Sequence, residues 1–332
     1  MNALMEQKLF ASFDGNSPRT ELSALCTELL EAQKDSWPDL SLGYAALEKV
    51  RVKKLQCDGF SVRLHHNPAR IKSTTAPVDK VSIIKRPCFL CLENLPEGQR
   101  GVLYRDEFLV LCNPFPITSH HFTISHIKHT PQSFEGNAAA FLKIAQDFYP
   151  NFKVFYNGPE SGASAPDHLH FQAAPTGVLP IEKEIEGSAK RIFMRRGRGV
   201  SFYKLEQIGR GVIILTGEDG NAVKAALINV ISAMKSVLSS ENEPKMNLLG
   251  SYDGGKWQVV IFPRRKHRPG VYFLPGNERI LISPGLVEMG GIVITPIAKD
   301  FDAVDENLVQ NIYREVSVDA ETIHNIIETV SL

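Results

Sequence analysis

The chain has no net charge. Its 332 residues carry 37 Lys and Arg against 37 Asp and Glu. No overall field draws it to nucleic acid or to an anionic membrane, so any anion site has to be local. It also lacks a long apolar run, since nothing approaches the roughly 20 residues that cross a bilayer as a helix. The opening MNALMEQKLFASFDG has no basic start followed by a long apolar stretch, so no signal peptide is expected. Cysteine is scarce and odd in number, five in all. That argues against a disulfide scaffold and fits a reducing, cytoplasmic setting. Apolar residues, by contrast, make up 43%, enough for a sizeable core. The length suits one large domain or two fused units of ordinary size.

One stretch organises the rest. Residues 155–175 read FYNGPESGASAPDHLHFQAAP. His168, His170 and Gln172 alternate with Leu169 and Phe171. On a strand, alternate side chains share a face, so the imidazoles and the amide would lie together while Leu169 and Phe171 enter a core. Upstream, Asn157-Gly158 and Ser161-Gly162-Ala163-Ser164 form a loop with little side-chain bulk, able to turn several backbone N–H groups toward one anion. A neutral imidazole is a competent nucleophile near pH 7. It can hold a phosphoryl group as a phosphoramidate and split one hard displacement into two easier ones. Gln172 offers an NH2 that does not titrate, and loop N–H groups can meet charge on phosphate oxygens. The plainer alternative is a surface strand with incidental histidines.

The pattern NGPxSGASxxxHxHxQ resembles the histidine-triad superfamily. It is most similar to the transferase branch, where Gln replaces the third His. That branch includes galactose-1-phosphate uridylyltransferases, diadenosine tetraphosphate phosphorylases and GDP-hexose phosphorylases. The resemblance implies an α+β fold of two fused units, each a mostly antiparallel sheet with packed helices. It makes His170 the nucleophile, forming a covalent nucleotidyl-histidine. It also implies that Gln172 and the N–H groups from Ser161 to Ser164 hold the α-phosphate, and that His168 orients the site. The implied donor is a nucleotide sugar or dinucleotide, and the acceptor is phosphate or a sugar phosphate. No cofactor is required for the covalent step. A hydrolase with water as acceptor, and a nucleotide-binding protein without turnover, are the other classes left open.

Arg86-Pro-Cys-Phe-Leu-Cys91 carries a CxxC, which in an intracellular chain suggests metal or redox chemistry. The following LENLPEGQR does not read as the helix a thioredoxin-type motif requires. In the resembling proteins such a pair joins a downstream His and the first His of the HxH motif. This implies a structural zinc site of Cys88, Cys91, His129 and His168, two thiolates and two imidazoles in a closed tetrahedral set. His120, His121 and His126 compete with His129, and two free core thiols are the alternative.

Taken in order, residues 1–50 read as helical. Leu22, Leu25, Leu29 and Leu30 lie at helical spacing, Thr20 and Ser23 are available caps, and a short helix is expected over 42–50. Residues 51–66 read as a hairpin turning at Asp58-Gly59. The loop that follows carries Arg70, a candidate phosphate ligand within an Asn-Pro-x-Arg segment. Residues 107–125 read as two strands around a Pro-containing turn, with Asn113 and Phe115 as base or ribose contacts by resemblance. A helix is expected over 134–148. Residues 176–205 read as an irregular basic connector. The second half appears to repeat the first: strand 211–216, helix 221–238, then strand, Gly turn and strand up to Pro263. Setting Pro263 against Pro175 puts Lys256 opposite His168 and Gln258 opposite His170, so the second unit is degenerate. Arg264, Arg265 and Arg268 follow it as candidate phosphate ligands. Closing helices are expected over 305–316 and 319–330, with Asp319 as a cap. The expected division is an N-terminal helical and hairpin extension (1–66), a catalytic unit (67–176), and a degenerate second unit with C-terminal helices (177–332).

Overall fold

The computed structural model describes residues 3–331. Its centre is one 11-stranded sheet in the order β1-β4-β5-β6-β8-β7-β12-β13-β11-β10-β9. The strands are β1 Leu9–Phe13, β4 Gly101–Tyr104, β5 Phe108–Cys112, β6 Phe122–His126, β7 Phe152–Asn157, β8 His170–Pro175, β9 Arg191–Gly197, β10 Val200–Leu205, β11 Ile213–Gly217, β12 Met246–Asp253 and β13 Lys256–Pro263. A separate three-stranded sheet joins β2 Arg51–Gln56, β3 Ser61–His66 and β14 Ile292–Thr295. Only β1·β4 and β14·β3 are parallel among the paired strands described. Among the described residues no helix is long and apolar enough to cross a membrane.

The large sheet reads the same from both ends toward its middle. β4-β5-β6-β8-β7 on one side mirrors β9-β10-β11-β13-β12 on the other, and the halves meet where β7 pairs antiparallel with β12. Ser125 of β6 lies opposite His170 of β8, and Thr216 of β11 lies opposite Gln258 of β13. The registers therefore put Gln258 in the place of His170, as aligning Pro175 with Pro263 requires. The chain thus holds two fused α+β units, and the second lacks the histidines.

Two cores flank the sheet because alternate strand residues face opposite ways. Val154, Tyr156, Leu169 and Phe171 turn to one side. There they pack on the helices Arg19–Ser36, Ala138–Asp147 and Gly220–Val237 through Leu22, Leu29, Phe141, Ile144, Leu227 and Val230. Phe155, Leu249, Val260 and Phe262 turn to the other, against Leu64, Leu286, Ile292 and Tyr313.

The structure corrects three local readings. Leu9–Phe13 is a strand inside the stretch read as helical, added parallel to β4. The helices that follow are Arg19–Ser36 and Pro38–Leu47, the first opening after Pro18 rather than on a Thr20 or Ser23 cap. The segment 176–205 is not irregular: it forms the helix Pro180–Glu186 and the β9–β10 hairpin. Arg191, Arg195 and Arg196 lie on the outermost strand, where Arg195 donates to the carbonyl of Ile327 at 3.0 Å. The closing helices are Glu306–Val316 and Ala320–Thr329, and the Asp319 side chain accepts from the Thr322 N–H as expected.

Candidate active site

A cleft of about 370 Å3 opens above β6, β7 and β8. Its floor carries His170, Gln172, Asn157 and Phe155. One wall is the glycine loop Gly162-Ala163-Ser164, and another is Asn113, Pro114, Phe115 and Ile117. Arg70 and Lys72 come from the segment after β3. The second half contributes His267, Arg268, Ser283 and the run Gly285–Glu288.

His170 is 3% exposed, and every polar group it has on the protein side is engaged. Its backbone N–H donates to Gln132 Oε1 at 2.8 Å, and its carbonyl accepts from Gln132 Nε2 at 3.1 Å. The same amide nitrogen reaches the Asn157 carbonyl at 2.9 Å. Gln132 thus replaces a strand neighbour where β8 begins and the loop swings away. The ring Nδ1–H donates to the His168 carbonyl at 2.8 Å. This fixes the tautomer, because the other nitrogen, Nε2, then keeps its lone pair. Burial pushes the His170 imidazole down to about 4, so it is neutral at pH 7.

Gln172 is held from behind. His121 Nε2 donates to Gln172 Oε1 at 2.8 Å, which leaves the amide NH2 to face the cleft. His121 is neutral too, pushed down to about 3 by burial and then by the Arg70 charge. Gln132 is not marked by any motif, and His121 is marked only as a competing metal ligand: each acts by orienting another group, a role that residue order does not show.

The glycine loop is anchored across the two halves. Asn157 Oδ1 accepts from Asn247 Nδ2 at 2.8 Å and from the Leu286 N–H at 2.7 Å. Asn247 Nδ2 also donates to the Ser161 carbonyl at 2.6 Å. Gly158 is tied by its N–H to the Met246 carbonyl at 3.1 Å. Gly158 and Ser161 therefore anchor the loop, while Gly162, Ala163 and Ser164 line the cleft. Gly162 has φ +94, and a Cβ there would stand 2.5 Å from Gly285 Cα. Only glycine fits this approach.

The basic run after β13 divides. Arg264 is 1% exposed, and burial lowers its guanidinium to about 10. It donates to Asn247 Oδ1 at 2.7 Å and to the carbonyls of Pro284, Val316, Lys266 and His267 at 2.9, 3.2, 3.1 and 3.0 Å. Its donors are committed within the fold, so it is a brace and not the phosphate ligand expected. Arg265 lies outside the cleft and pairs with Asp319 at 2.9 Å. Arg268 reaches the cleft, as do Asn113, Phe115 and Arg70. Asn113 Oδ1 accepts from the Phe115 N–H at 2.9 Å, and Arg70 Nη1 donates to the Phe115 carbonyl at 2.7 Å, so the three shape one wall.

His168 does not share the cleft with His170. It precedes β8, is fully buried, and turns Nδ1 to Cys88 Sγ at 3.3 Å and Cys91 Sγ at 3.6 Å. Cys91 Sγ lies 3.1 Å from His129 Nδ1. All four ligand atoms fall within 4.8 Å of one another. Zinc–sulfur and zinc–nitrogen bonds of about 2.3 and 2.1 Å give a tetrahedral S···N edge of about 3.5 Å, so the set fits one ion. His168 Nε2 sits 2.8 Å from the His126 carbonyl, an acceptor that puts its proton there and leaves Nδ1 free to ligate. His120, His121 and His126 are no part of the cluster.

Fold and site together resemble the double-unit histidine-triad proteins that carry Gln in third place. Residues 184–331 match the family model described as GDPGP1-like, C-terminal domain, and residues 29–175 match a domain of unknown function, DUF4922. The fold is that of the yeast Ap4A phosphorylase Apa2. Its crystal structure is similar with TM-score 0.58 and 15% identity over 84% of this chain and 96% of that one. The same enzyme in complex with Ap4A gives TM-score 0.53 and 15% identity over 85% and 97%. No curated protein matches the chain. The two matches and the shared fold are consistent with the resemblance to the transferase branch of the histidine-triad superfamily.

Proposed function

We propose that this protein transfers a nucleotidyl group from a dinucleotide or nucleotide sugar to phosphate or a sugar phosphate, through a nucleotidyl-His170 intermediate. The observation that carries the reading is the Nδ1–H bond from His170 to the His168 carbonyl. It presents a neutral Nε2 to a cleft edged by the glycine loop and the Gln172 amide. The Nε2 lone pair attacks the α-phosphorus, and the bond from that phosphorus to the bridging oxygen breaks. The electron pair leaves with the departing phosphate. An oxygen of the acceptor then attacks the same phosphorus, the N–P bond breaks, and Nε2 regains its lone pair. Backbone N–H groups of Gly162 to Ser164 and the Gln172 NH2 stabilise the equatorial oxygens. Asn113 and Phe115 border the nucleoside, and Arg70 adds positive charge. Cys88, Cys91, His129 and His168 would hold a structural zinc, which would supply a fixed crosslink beneath the nucleophile. We also take residues 67–176 as the catalytic unit, 1–66 as its extension and 177–332 as the degenerate partner, in a reducing cytoplasmic setting.

The yeast enzyme bound to Ap4A and to AMP makes a dinucleotide the first donor to try, and the resemblance of the motif to GDP-hexose phosphorylases makes GDP-glucose the second. The test is intact-protein mass spectrometry after incubation with diadenosine tetraphosphate, GDP-glucose, UDP-glucose or ADP-glucose. A gain of one nucleoside monophosphate, absent in His170→Ala, is expected. An adduct that persists in His170→Ala would sink the assignment. Product analysis with and without phosphate separates transfer from hydrolysis.

A further inference from the structure

The second unit sends into the cleft a cation that the chemistry at His170 does not use. Arg268 is held in a fixed pose from three directions. Its Nε donates to Ser283 Oγ at 2.9 Å and its Nη2 to the Ala76 carbonyl at 3.4 Å. Its guanidinium lies 4.3 Å from the centre of the Tyr272 ring, whose hydroxyl donates to the Thr74 carbonyl at 3.3 Å. The turn that carries it is braced by Arg264, through the carbonyls of Lys266 and His267. Among the described residues no carboxylate pairs with Arg268, and a second cation, Arg279, lies across the same ring at 5.0 Å. Two positive groups gathered on one ring without an acid form a site that lacks its counter-charge.

The place of this group fixes which charge it meets. The glycine loop touches the segment after Ser283, since a Cβ on Gly162 would lie 2.5 Å from Gly285 Cα. Ser283 is two residues from Gly285, at most about 7 Å of chain. The Arg268 fork therefore stands beside the segment that packs on the glycine loop, on the side of the second unit and in the same cleft. Lys72, from the same segment as Ala76, lines the cleft as well.

We propose that Arg268, posed by Ser283 and Tyr272 and joined by Lys72, is the clamp for the non-transferred phosphate. It would hold the phosphate that departs from the α-phosphorus in the first displacement and the phosphate that attacks in the second. This inference rests on the nucleotidyl-transfer reading and sharpens it, because it requires an acceptor that ends in a phosphate. Inorganic phosphate and a sugar phosphate share that group. Water does not, so water discharges the intermediate without using the clamp.

The test follows discharge of the nucleotidyl adduct, by mass spectrometry, against inorganic phosphate concentration. In the wild type the rate should rise with phosphate and saturate. In Arg268→Ala the half-saturating phosphate should rise at least ten-fold. Arg268→Lys should recover part of this, since it keeps the charge but not the fork. An unchanged phosphate dependence overturns the clamp, as does an equal loss of water-driven and phosphate-driven discharge, which is the mark of a merely structural role. A second measurement needs no adduct: calorimetric titration of inorganic phosphate into His170→Ala with and without Arg268→Ala. Loss of binding on removing Arg268 supports the clamp even if no donor ever charges the wild type, in which case only the transfer reading falls. Equal binding in both overturns the clamp while leaving the transfer reading in place.

Discussion

Replacing Gly162 by alanine should damage both the fold and the chemistry, by amounts that can be separated. At φ +94 any side chain is strained, at about 1–3 kcal/mol. The new Cβ would also meet Gly285 Cα at 2.5 Å, Gly285 N at 3.0 Å and the Pro284 carbonyl oxygen at 3.1 Å. All three are backbone atoms, with no flexible side-chain end to move aside. Ordinary carbon contacts start at about 3.5 Å, so the loop or the 284–286 segment must retreat by about 1 Å. A misplacement of that size at a reacting centre costs about 100-fold in rate. The expected outcome is a loss of about 2–3 kcal/mol in urea unfolding and a fall of about 100-fold in adduct formation. Gly177→Ala is the control: its φ is +84 and nothing lies within 4 Å of a Cβ there. It should lose about 1–2 kcal/mol of stability from conformation alone with adduct formation intact. If Gly162→Ala behaves like Gly177→Ala in both assays, the close fit of the glycine loop against the second unit has no catalytic consequence and the reasoning fails.

Two further outcomes follow from buried groups. The purified protein should carry about one zinc per chain by elemental analysis. Cys88→Ser with Cys91→Ser should abolish this and lower the urea midpoint, whereas a metal-free protein of unchanged stability would refute the site. His65, His121 and His267 are held neutral by burial, pushed down to about 4, 3 and 4. The unfolded chain takes up these protons below its ordinary value of about 6.5, and the folded one does so only near 4 for His65 and His267 and near 3 for His121. Stability is therefore fully present above about pH 6.5 and falls as pH drops toward 4, by up to about 1.4 kcal/mol per pH unit for each histidine. A urea midpoint that stays level from pH 7.5 to 4.5 would contradict this.

What could be read from residue order was what periodicity and a compact motif encode. Leu169 and Phe171 alternate with His170 and Gln172, and this alternation placed the core face of β8 correctly. The order strand–helix–strand–turn–strand from 211 to 263 was legible for the same reason. Misreadings came where tertiary context decides. Leu9–Phe13 is short, and becomes a strand by adding to β4. The β9–β10 hairpin is rich in arginine, which reads as a connector until its place at the sheet edge is known. Arg264 looked like a phosphate ligand because charge is visible in a sequence and burial is not. Once buried, it needs the internal carbonyls it has. His168 looked like a partner of His170 on one face, but the strand begins only at His170, and the turn before it sends His168 to the cysteines.

The ladder joining β7 to β12, from Asn157↔Asn247 to Val154↔Gly250, also bears on how a substrate is admitted. Walls of the cleft come from both halves, yet the halves are strands of one sheet, and swinging them apart would break main-chain hydrogen bonds in the middle of the protein. No hinge lies between them. Substrate entry by parting of the halves would cost this ladder, so affinity would not be reduced by the fraction of time a two-domain jaw spends open. On the transfer reading, donor and acceptor would meet a slot whose width is already set, and discrimination between them would fall to its shape and charge.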